Sequence, residues 1–408
     1  MVDVAGVTGR RRVARAAAVV GLAAMLVLPV VLAPSAAVAT AAPAFGISSI
    51  FAWSPPSGIN FHAGDVARVA SEIDNGAIMR IEVPWSEMQP SCTYLMFYQA
   101  TNDAECQGGS VGPIVWAPLD AALSQISAYL TSGKVRLLPY VDSAPAWAQS
   151  FMDQPGNGGT ISSDMPPAND TWAQLHWQTF VAALVRHLEA AYPGALAGVE
   201  VWNEENGING WTTNSGPDPA RYTVVLCDAY AGVRSVDASL PVIIGGLDEG
   251  TPTYPNETIK QFLGQAYVDA TNGRGADIRR CMTSIGVHPY TGTDPSTGGQ
   301  FAQILQDAAV AAAAGGDPGR PLAITEFGVS VTKFTAAQQG QWMVDAYQHA
   351  GSFTPSNPVT LFIGYSLFDQ QQYDQGQFGV CASPSNPRPA ASALKQLLTG
   401  NPSAQEGC

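Results

Sequence analysis

Short apolar runs alternate with longer amphipathic stretches along the chain from Phe45 onward. This alternation is typical of repeated β-α units that build a parallel sheet. Eight runs have the length and composition of strands: Gly46–Phe51, Ile78–Val83, Val135–Tyr140, Gly198–Trp202, Val242–Gly245, Ser284–Val287, Leu322–Thr325 and Leu361–Ser366. We refer to them as predicted strands one to eight.

Amphipathic helices are predicted between these strands. Apolar residues recur three or four positions apart in segments 119–130, 180–188 and 301–312, and glycine or proline follows each segment. Eight strands with intervening helices most simply close into a (β/α)8 TIM barrel. An open, doubly wound sheet is the alternative, but no G-x-G-x-x-G motif follows the first predicted strand.

We expect a single domain at residues 45–400, followed by a short tail at 401–408. Two of its connections are long: Pro84–Pro118 after predicted strand two and Val141–Asp170 after predicted strand three. In a barrel these loops lie on the face that carries active sites. Their aromatic residues, which include Trp85 and Trp147, favour a binding cleft over loops without a functional role.

The composition narrows the range of partners. The chain has 408 residues, of which 46% are hydrophobic and 13% charged, so it is long enough to bury a large core. Its formal net charge is −14, from 33 acidic and 19 basic residues. This charge argues against nucleic acid and other polyanions as partners and leaves neutral partners open.

The N-terminal segment predicts export. Four arginines between residues 10 and 15 precede an apolar run at 16–33, and small residues follow at 35–41. This order is typical of a signal peptide cleaved after Ala39 or Ala41, by the Sec or the Tat route. A membrane anchor is the alternative, because the apolar run approaches 18 residues. We therefore expect residues 1–41 to be removed and the mature protein to be secreted, without a stable membrane anchor.

Six cysteines fit an exported protein that contains disulfides. They form no C-x-x-C pair, which argues against a zinc site. Six cysteines allow 15 pairings. Proximity in the sequence favours Cys92–Cys106 and Cys381–Cys408, which leaves Cys227–Cys281.

Two glutamates follow predicted strands at positions where chemistry is expected. Glu204 follows Trp202-Asn203 at the end of predicted strand four, and Glu326 follows Thr325 at the end of predicted strand seven. An acidic residue at the end of a buried strand is costly unless it has a partner or a function. Three β-α units apart, the two carboxyl groups can face each other across a barrel, an arrangement that cleavage of a glycosidic bond requires. Taken singly, each glutamate could instead cap a helix or pair with an arginine.

These motifs resemble those of the clan A glycoside hydrolases, whose two glutamates follow strands four and seven of a barrel. Met79-Arg80 on predicted strand two resembles the arginine of the clan, and the sequence from Val287 to Tyr290 after predicted strand six resembles its His/Tyr pair. Within the clan, Pro145-Ala-Trp147-Ala and W-N-E-x-N are most similar to family 39 and related bacterial polysaccharide hydrolases. The resemblance covers residues 46–398.

The resemblance implies a role for each matching residue. Glu204 would be the general acid/base and Glu326 the nucleophile of a retaining mechanism. Asn203 would bind the 2-hydroxyl group of the sugar, Arg80 would keep Glu326 ionised, and Tyr290 would orient it. His288 would line the subsite at the cleavage point, although a histidine that is satisfied within the core is an alternative of similar weight.

Further substrate contacts are expected from aromatic residues: Trp85, Trp147, Trp202 and Tyr365. Tyr365 or Phe368 would replace a tryptophan that the clan often places after strand eight. Position 205 also departs from the pattern, because it is glutamate where many relatives have proline. Glu205 would either raise the pKa of Glu204 by repulsion or point to solvent.

The sequence as a whole predicts a secreted, monomeric, retaining hydrolase of neutral oligo- or polysaccharides, with no cofactor and no metal. The long aromatic loops favour endo action, although a loop that closes one end of the cleft would make the enzyme exo-acting. A sugar-binding barrel without turnover is the main alternative. A metal-dependent hydrolase is less favoured, because the five histidines show no H-x-H or H-x-x-x-H spacing, and a serine hydrolase would need a G-x-S-x-G motif, which does not occur.

Overall fold

The computed structural model describes residues 41–48, 63–93, 110–150, 164–249, 256–272, 275–297, 299–354, 356–369, 377–404 and 408. All statements below concern these residues. The predicted signal peptide lies outside them except for its last residue, so it stays a prediction. No helix in the described ranges is both long and apolar enough to cross a membrane.

A curled parallel sheet forms the centre of the molecule. The strands are β1 (Ala44–Ser48), β2 (Ala77–Pro84), β3 (Cys92–Thr93), β4 (Ser110–Val111), β5 (Val135–Asp142), β6 (Val199–Val201), β7 (Val242–Ile244), β8 (Leu247–Asp248), β9 (Ile285–His288), β10 (Leu322–Phe327), β11 (Val359–Gly364), β12 (Cys381–Ser383) and β13 (Asn386–Pro387). Nine of them pair in the order β7-β6-β5-β2-β1-β11-β10-β9-β8, and the other four form two short antiparallel pairs.

Helices connect and cover the strands. They are α1 (Ala63–Ile73), α2 (Trp85–Met88), α3 (Ala117–Ser124), α4 (Ser127–Thr131), α5 (Thr171–Ala191), α6 (Pro219–Arg234), α7 (Ile259–Asn272), α8 (Gln300–Ala314), α9 (Ala336–Ser352) and α10 (Pro389–Thr399). Asp170 begins the longest helix, α5, because its side chain accepts hydrogen bonds from the backbone nitrogens of Trp172 and Ala173.

The sheet is the barrel-like sheet predicted from the sequence, but its hydrogen-bond ladder is not a closed ring of eight strands. Predicted strand five corresponds to β7, which pairs with β6. After an interruption at Gly245-Gly246 the chain continues in β8, a short strand that was not predicted and that pairs with β9. The two ends of the ladder are therefore consecutive in the chain. An isolated parallel bridge also joins Ile243 of β7 to Ser284, directly before β9.

The two faces of the sheet are buried in different ways. A small apolar cluster lies on the inner face: Ile78, Leu138, Ile243, Ala323, Leu361 and Ile363. A much larger cluster packs the outer face against the helices. Because side chains alternate along a strand, Arg80 and Glu82 share the inner face with Ile78. Polar groups therefore follow the apolar inner layer at the carboxyl ends of the strands.

Several predicted boundaries shift by a few residues. Predicted strand one lies partly outside the described residues, and β1 begins two residues earlier, at Ala44. Predicted strand eight ends at Gly364 rather than at Ser366. The two long connections are described only at their ends, because residues 94–109 and 151–163 lie outside the described ranges.

Two of the three predicted disulfides are present, Cys227–Cys281 and Cys381–Cys408. The first joins α6 to the segment before β9, and the second joins β12 to the C-terminal residue. The third predicted pair includes Cys106, which lies outside the described residues.

Removal of the Cys227–Cys281 disulfide should destabilise the protein. The bond closes a separation of 54 residues, for which loop entropy predicts a stabilisation of about 4 kcal/mol. We expect the double variant Cys227→Ser/Cys281→Ser to lose about 2–4 kcal/mol of unfolding free energy in denaturant titrations. The corresponding Cys381/Cys408 variant is the comparison, and its separation of 27 residues predicts a somewhat smaller loss. An unchanged unfolding free energy in the first variant would contradict the prediction.

Candidate active site

A cavity of about 430 Å³ opens at the carboxyl ends of the strands. Its lining is almost entirely polar or aromatic: Ser48, Arg80, Glu82, Tyr140, Asn203, Glu204, Tyr290, Glu326, Tyr365 and Phe378. Six of the ten residues predicted for the site line this cavity, and they come from strands far apart in the sequence.

Arg80 lies at the base of the cavity and is 1% exposed. Its Nε donates to Glu200 Oε2 at 2.5 Å and its Nη2 to Glu200 Oε1 at 3.1 Å. The guanidinium also donates to Glu326 Oε1 at 2.5 Å and to Asn203 Oδ1 at 2.8 Å. Its central carbon lies 4.1 Å from the centre of the Tyr140 ring. One buried cation therefore connects β2, β6 and β10.

Glu326 is held by a donor on each carboxylate oxygen. Oε1 accepts from Arg80, and Oε2 accepts from the Tyr290 hydroxyl at 2.8 Å. Burial alone would raise the pKa of Glu326, but the charges of His288 and Arg80 and the hydrogen bond from Tyr290 lower it below its usual value. Glu326 is thus kept as a carboxylate, and its side chain is 13% exposed.

Glu204 reaches the cavity from a turn with unusual backbone angles. The φ angles of Trp202 and Glu204 are +78° and +51°, in the left-handed region that residues other than glycine rarely adopt. The Glu204 nitrogen donates to the carbonyl of Gly246 at 3.2 Å, which fixes the turn to the interruption between β7 and β8. Such strain persists only where the surrounding structure imposes it.

His288 connects the two glutamates. Its Nδ1 lies 2.9 Å from Glu204 Oε1 and 3.9 Å from Glu326 Oε2, and its Nε2 lies 3.1 Å from the hydroxyl of Thr325. Burial would lower the pKa of His288, but the charge of Glu326 and the hydrogen bond to Glu204 raise it above its usual value. His288 is fully buried and is not among the residues that line the cavity, so its contact with the cavity is through Glu204.

The two glutamates are close enough to act on one atom. One carboxylate oxygen of each and a ring nitrogen of His288 all lie within 4.8 Å of one another. Carboxyl groups about 5–5.5 Å apart are typical of retaining glycosidases, whereas inverting enzymes hold them roughly 6.5–9.5 Å apart. These three side chains are of types that also bind metal ions. However, Arg80 and Tyr290 already donate to the carboxylate of Glu326, so both of its oxygens have partners within the protein.

Three tryptophans that we expected to contact substrate lie elsewhere. Trp85, Trp147 and Trp202 are at most 1% exposed, and none lines the cavity. Their rings pack with other aromatic residues between the sheet and the helices, as in the 5.2 Å contact between Trp85 and Trp147. Each indole nitrogen donates within the protein. A ring that is covered on both faces cannot stack on a ligand, so the structure contradicts a direct contact for these three residues.

Tyr365 lines the cavity as predicted for a substrate-contacting residue. It packs edge-on against Tyr290 at 6.3 Å and against Phe378 at 5.7 Å. The alternative residue, Phe368, is 1% exposed and lies in the core. Tyr365 and Phe378 thus supply an aromatic edge beside Glu326.

Sequence reasoning missed the partners that support the site. Glu200 lies in the middle of a buried strand and is fully buried. Its carboxylate accepts hydrogen bonds from Arg80 and, at 3.0 Å, from the backbone nitrogen of Gly246. Its signal was present, because a glutamate inside an apolar strand two residues before Trp202 needs a buried cation. Phe378 had no comparable signal, since it reaches the cavity from a segment outside the predicted strands.

Comparison with known proteins identifies the fold. No protein-family model matches the chain, and no curated protein matches it by sequence. Solved structures do match it. A monomeric β-xylosidase from Caulobacter crescentus CB15 has a TM-score of 0.56 and 16% identity, over 88% of this chain and 69% of that one.

Two further structures extend the likeness. The GH39 enzyme from Xanthomonas axonopodis pv. citri has a TM-score of 0.56 and 13% identity, over 88% of this chain and 68% of that one. A GH5_18 protein from Streptomyces cattleya, in complex with Manβ1-4GlcNAc, has a TM-score of 0.57 and 13% identity, over 90% of this chain and 82% of that one. GH39 and GH5_18 enzymes are clan A glycoside hydrolases. The chain therefore has the fold of the clan that its sequence motifs resemble.

Loss of the buried cation should destabilise the fold. In the variant Arg80→Met, the fully buried Glu200 would lose its charged partner, and we expect a loss of about 3–5 kcal/mol in unfolding free energy. The control is Arg68→Met, which removes a half-exposed pair with Glu72 and should cost less than about 1 kcal/mol. Denaturant unfolding measures both, and equal losses in the two variants would contradict the prediction.

Proposed function

We propose that this protein is a secreted, retaining O-glycoside hydrolase in which Glu326 is the nucleophile and Glu204 the general acid/base. The observation that carries the proposal is the pair of carboxylates within 4.8 Å, one held by Arg80 and Tyr290 and the other by His288. The two glutamates therefore have the different environments that a nucleophile and an acid require.

In the first step, Glu204 in its acid form donates a proton to the glycosidic oxygen while a Glu326 oxygen attacks the anomeric carbon. The bond to the leaving sugar breaks as the bond to Glu326 forms, and a covalent glycosyl-enzyme results. Glu204 becomes a carboxylate in this step. His288, at 2.9 Å, then stabilises its charge.

In the second step, Glu204 acts as a base. It takes a proton from water, the hydroxyl oxygen attacks the anomeric carbon, and the bond to Glu326 breaks. Two inversions at the same carbon give net retention. Arg80 and Tyr290 stabilise the negative charge of the released Glu326 carboxylate through their hydrogen bonds. Arg80 also orients Asn203, which we propose contacts the 2-hydroxyl group of the sugar.

The proposed substrate is a neutral oligo- or polysaccharide, cleaved within the chain. Support comes from the net charge of −14 and from the aromatic edge formed by Tyr365 and Phe378. The GH5_18 structure binds a neutral disaccharide, Manβ1-4GlcNAc, in a similar fold. The chemistry requires neither cofactor nor metal, and we propose a monomer that is exported after removal of residues 1–41.

We further propose that the curled sheet and its helices form a closed (β/α)8 barrel and that this barrel is a single domain. The two ends of its ladder are consecutive in the chain, and a bridge joins Ile243 of β7 to Ser284, directly before β9. Arg80 also spans the interior from β2 to Glu326 on β10.

Replacement of each glutamate should have a distinct effect. Glu326→Ala should abolish turnover of every substrate, because no covalent intermediate can form. Glu204→Ala should retain slow cleavage of aryl glycosides with good leaving groups, and azide should accelerate it, because a small anion can enter the vacated space and attack the intermediate. Rates with and without azide measure this, and circular dichroism establishes that the variants are folded. Near-normal activity of Glu326→Ala, or no azide effect in a folded Glu204→Ala variant, would contradict the assigned roles.

The function as a whole is tested by product release from a panel of neutral polysaccharides and aryl glycosides. We expect wild-type protein to release oligosaccharides whose first-formed anomer, observed by NMR, retains the configuration of the substrate. Inverted product would exclude the double displacement. Saturable binding of sugar without any hydrolysis would instead favour the catalytically silent sugar-binding protein.

A further inference from the structure

Glu205 is a buried carboxyl group beside the proposed acid/base that the mechanism does not use. It is 0% exposed, although it directly follows Glu204 in the turn. The structure therefore contradicts the expectation that it points to solvent. Glu204 lines the cavity, whereas the neighbouring Glu205 is buried in the interior.

The space for the Glu205 side chain lies at the interruption of the sheet. A Cβ atom on Gly245 would lie 2.1 Å from Glu205 Oε2 and 2.8 Å from the carbonyl carbon of Trp202. Only glycine at position 245 therefore leaves room for the carboxyl group of Glu205. The same interruption supplies Gly246, whose carbonyl accepts from the Glu204 nitrogen. Glu205 thus packs against the segment that fixes the position of Glu204.

Glu205 forms no ion pair within the described residues. Neither of its carboxylate oxygens has a hydrogen bond of normal geometry, although its own backbone nitrogen and the Tyr222 hydroxyl lie close enough to lower its pKa in part. The titratable groups that face it are Glu200 from β6, Tyr222 from α6 and His288 from β9. Tyr222 donates to Val201 and accepts from Gly245, and Glu200 is already paired with Arg80. Burial raises the pKa of Glu205 to about 8. Glu200 adds to this shift, whereas the Glu205 backbone nitrogen, Tyr222 and the charge of His288 reduce it.

We propose that Glu205 is a positioning residue for Glu204: as a neutral carboxylic acid it fills the space beneath the turn, and its ionisation in alkaline solution displaces the turn and ends activity. The inference rests on the proposed function. A buried carboxylate without a partner is costly, so the charged form moves toward water and pulls on the residue next to it. In its neutral form Glu205 exerts no repulsion on Glu204.

The proposal also predicts how stability depends on pH. The unfolded chain loses the Glu205 proton near pH 4.5, whereas the folded protein keeps it up to about pH 8. The folded state thus binds more protons in this window, and its stability relative to the unfolded state falls as pH rises. The isosteric variant Glu205→Gln has no carboxyl group at this position and so lacks this loss of stability. The melting temperature of the variant minus that of wild type should therefore increase from pH 5 to pH 8.

The test compares the pH dependence of kcat/KM in wild type, Glu205→Gln and Asp228→Asn. The control residue Asp228 also has a pKa raised by burial, to about 6, but it lies on α6 and not in the cavity lining. The substrate is an aryl glycoside with a good leaving group, whose cleavage does not need a proton from Glu204, so the loss of that proton does not set the alkaline midpoint. We expect Glu205→Gln to keep wild-type activity near pH 6 and to move the alkaline midpoint upward by at least about one pH unit, while Asp228→Asn keeps the wild-type midpoint. An unmoved midpoint in Glu205→Gln overturns the proposal. So does loss of activity at every pH in the folded variant, because a neutral side chain of the same shape should suffice.

Infrared titration of wild-type protein covers the case in which Glu205→Gln does not fold. The buried residues Glu82 and Asp142 also have raised pKa values and contribute to the carbonyl band of protonated carboxylic acids. The expected result is therefore that one component of this band is lost together with activity on alkaline titration. Loss of activity without loss of any such component, or loss of the component without loss of activity, overturns the proposal. A wild-type protein that hydrolyses nothing removes the proposed function and the positioning role together, whereas an active wild type with an unmoved midpoint in Glu205→Gln removes only the latter.

Discussion

The site depends on the ion pairs that the buried guanidinium group of Arg80 forms with Glu200 and Glu326. A cation that is 1% exposed is tolerable only if carboxylates surround it, and here Glu200 and Glu326 do so. Burial would lower the pKa of Arg80, but Glu200 and Glu326 raise it, so the group stays charged. The same arginine lowers the pKa of Glu326. Arg80 thus compensates the buried charge of Glu200 and, together with His288 and Tyr290, keeps Glu326 ionised.

The sequence was informative where local pattern and position on the sheet coincide. Glu204 and Glu326 were predicted because apolar runs end at polar groups there, and parallel strands bring their carboxyl ends to one edge. The tryptophans were misassigned for a physical reason. An aromatic residue at or just beyond the end of a strand can stack on a ligand or fill the core, and local periodicity does not separate the two. Trp85 and Trp202 fill the core, with their indole nitrogens satisfied inside.

The interruption of the sheet could not be predicted for a different reason. Gly245-Gly246 has the local pattern of a strand end, and only the register of β7 and β8 shows that the chain changes partners there. The space beside Gly245 then makes room for Glu205, whose burial no local pattern indicated. Both features arise from packing between segments that are distant in sequence, and such contacts are invisible to a reading of local periodicity.

The long sequence separation of the Arg80 contacts has a consequence for the timing of activity. Arg80 and Glu326 are 246 positions apart in the sequence, and Glu204 and His288 are 84 positions apart. Contacts of this kind form late, because most of the chain must be ordered before they close. A nascent chain that ends before β10 contains Arg80 and Glu204 but lacks Glu326. The proposed pair of glutamates would therefore be completed abruptly, once β10 has been synthesised and has joined the sheet.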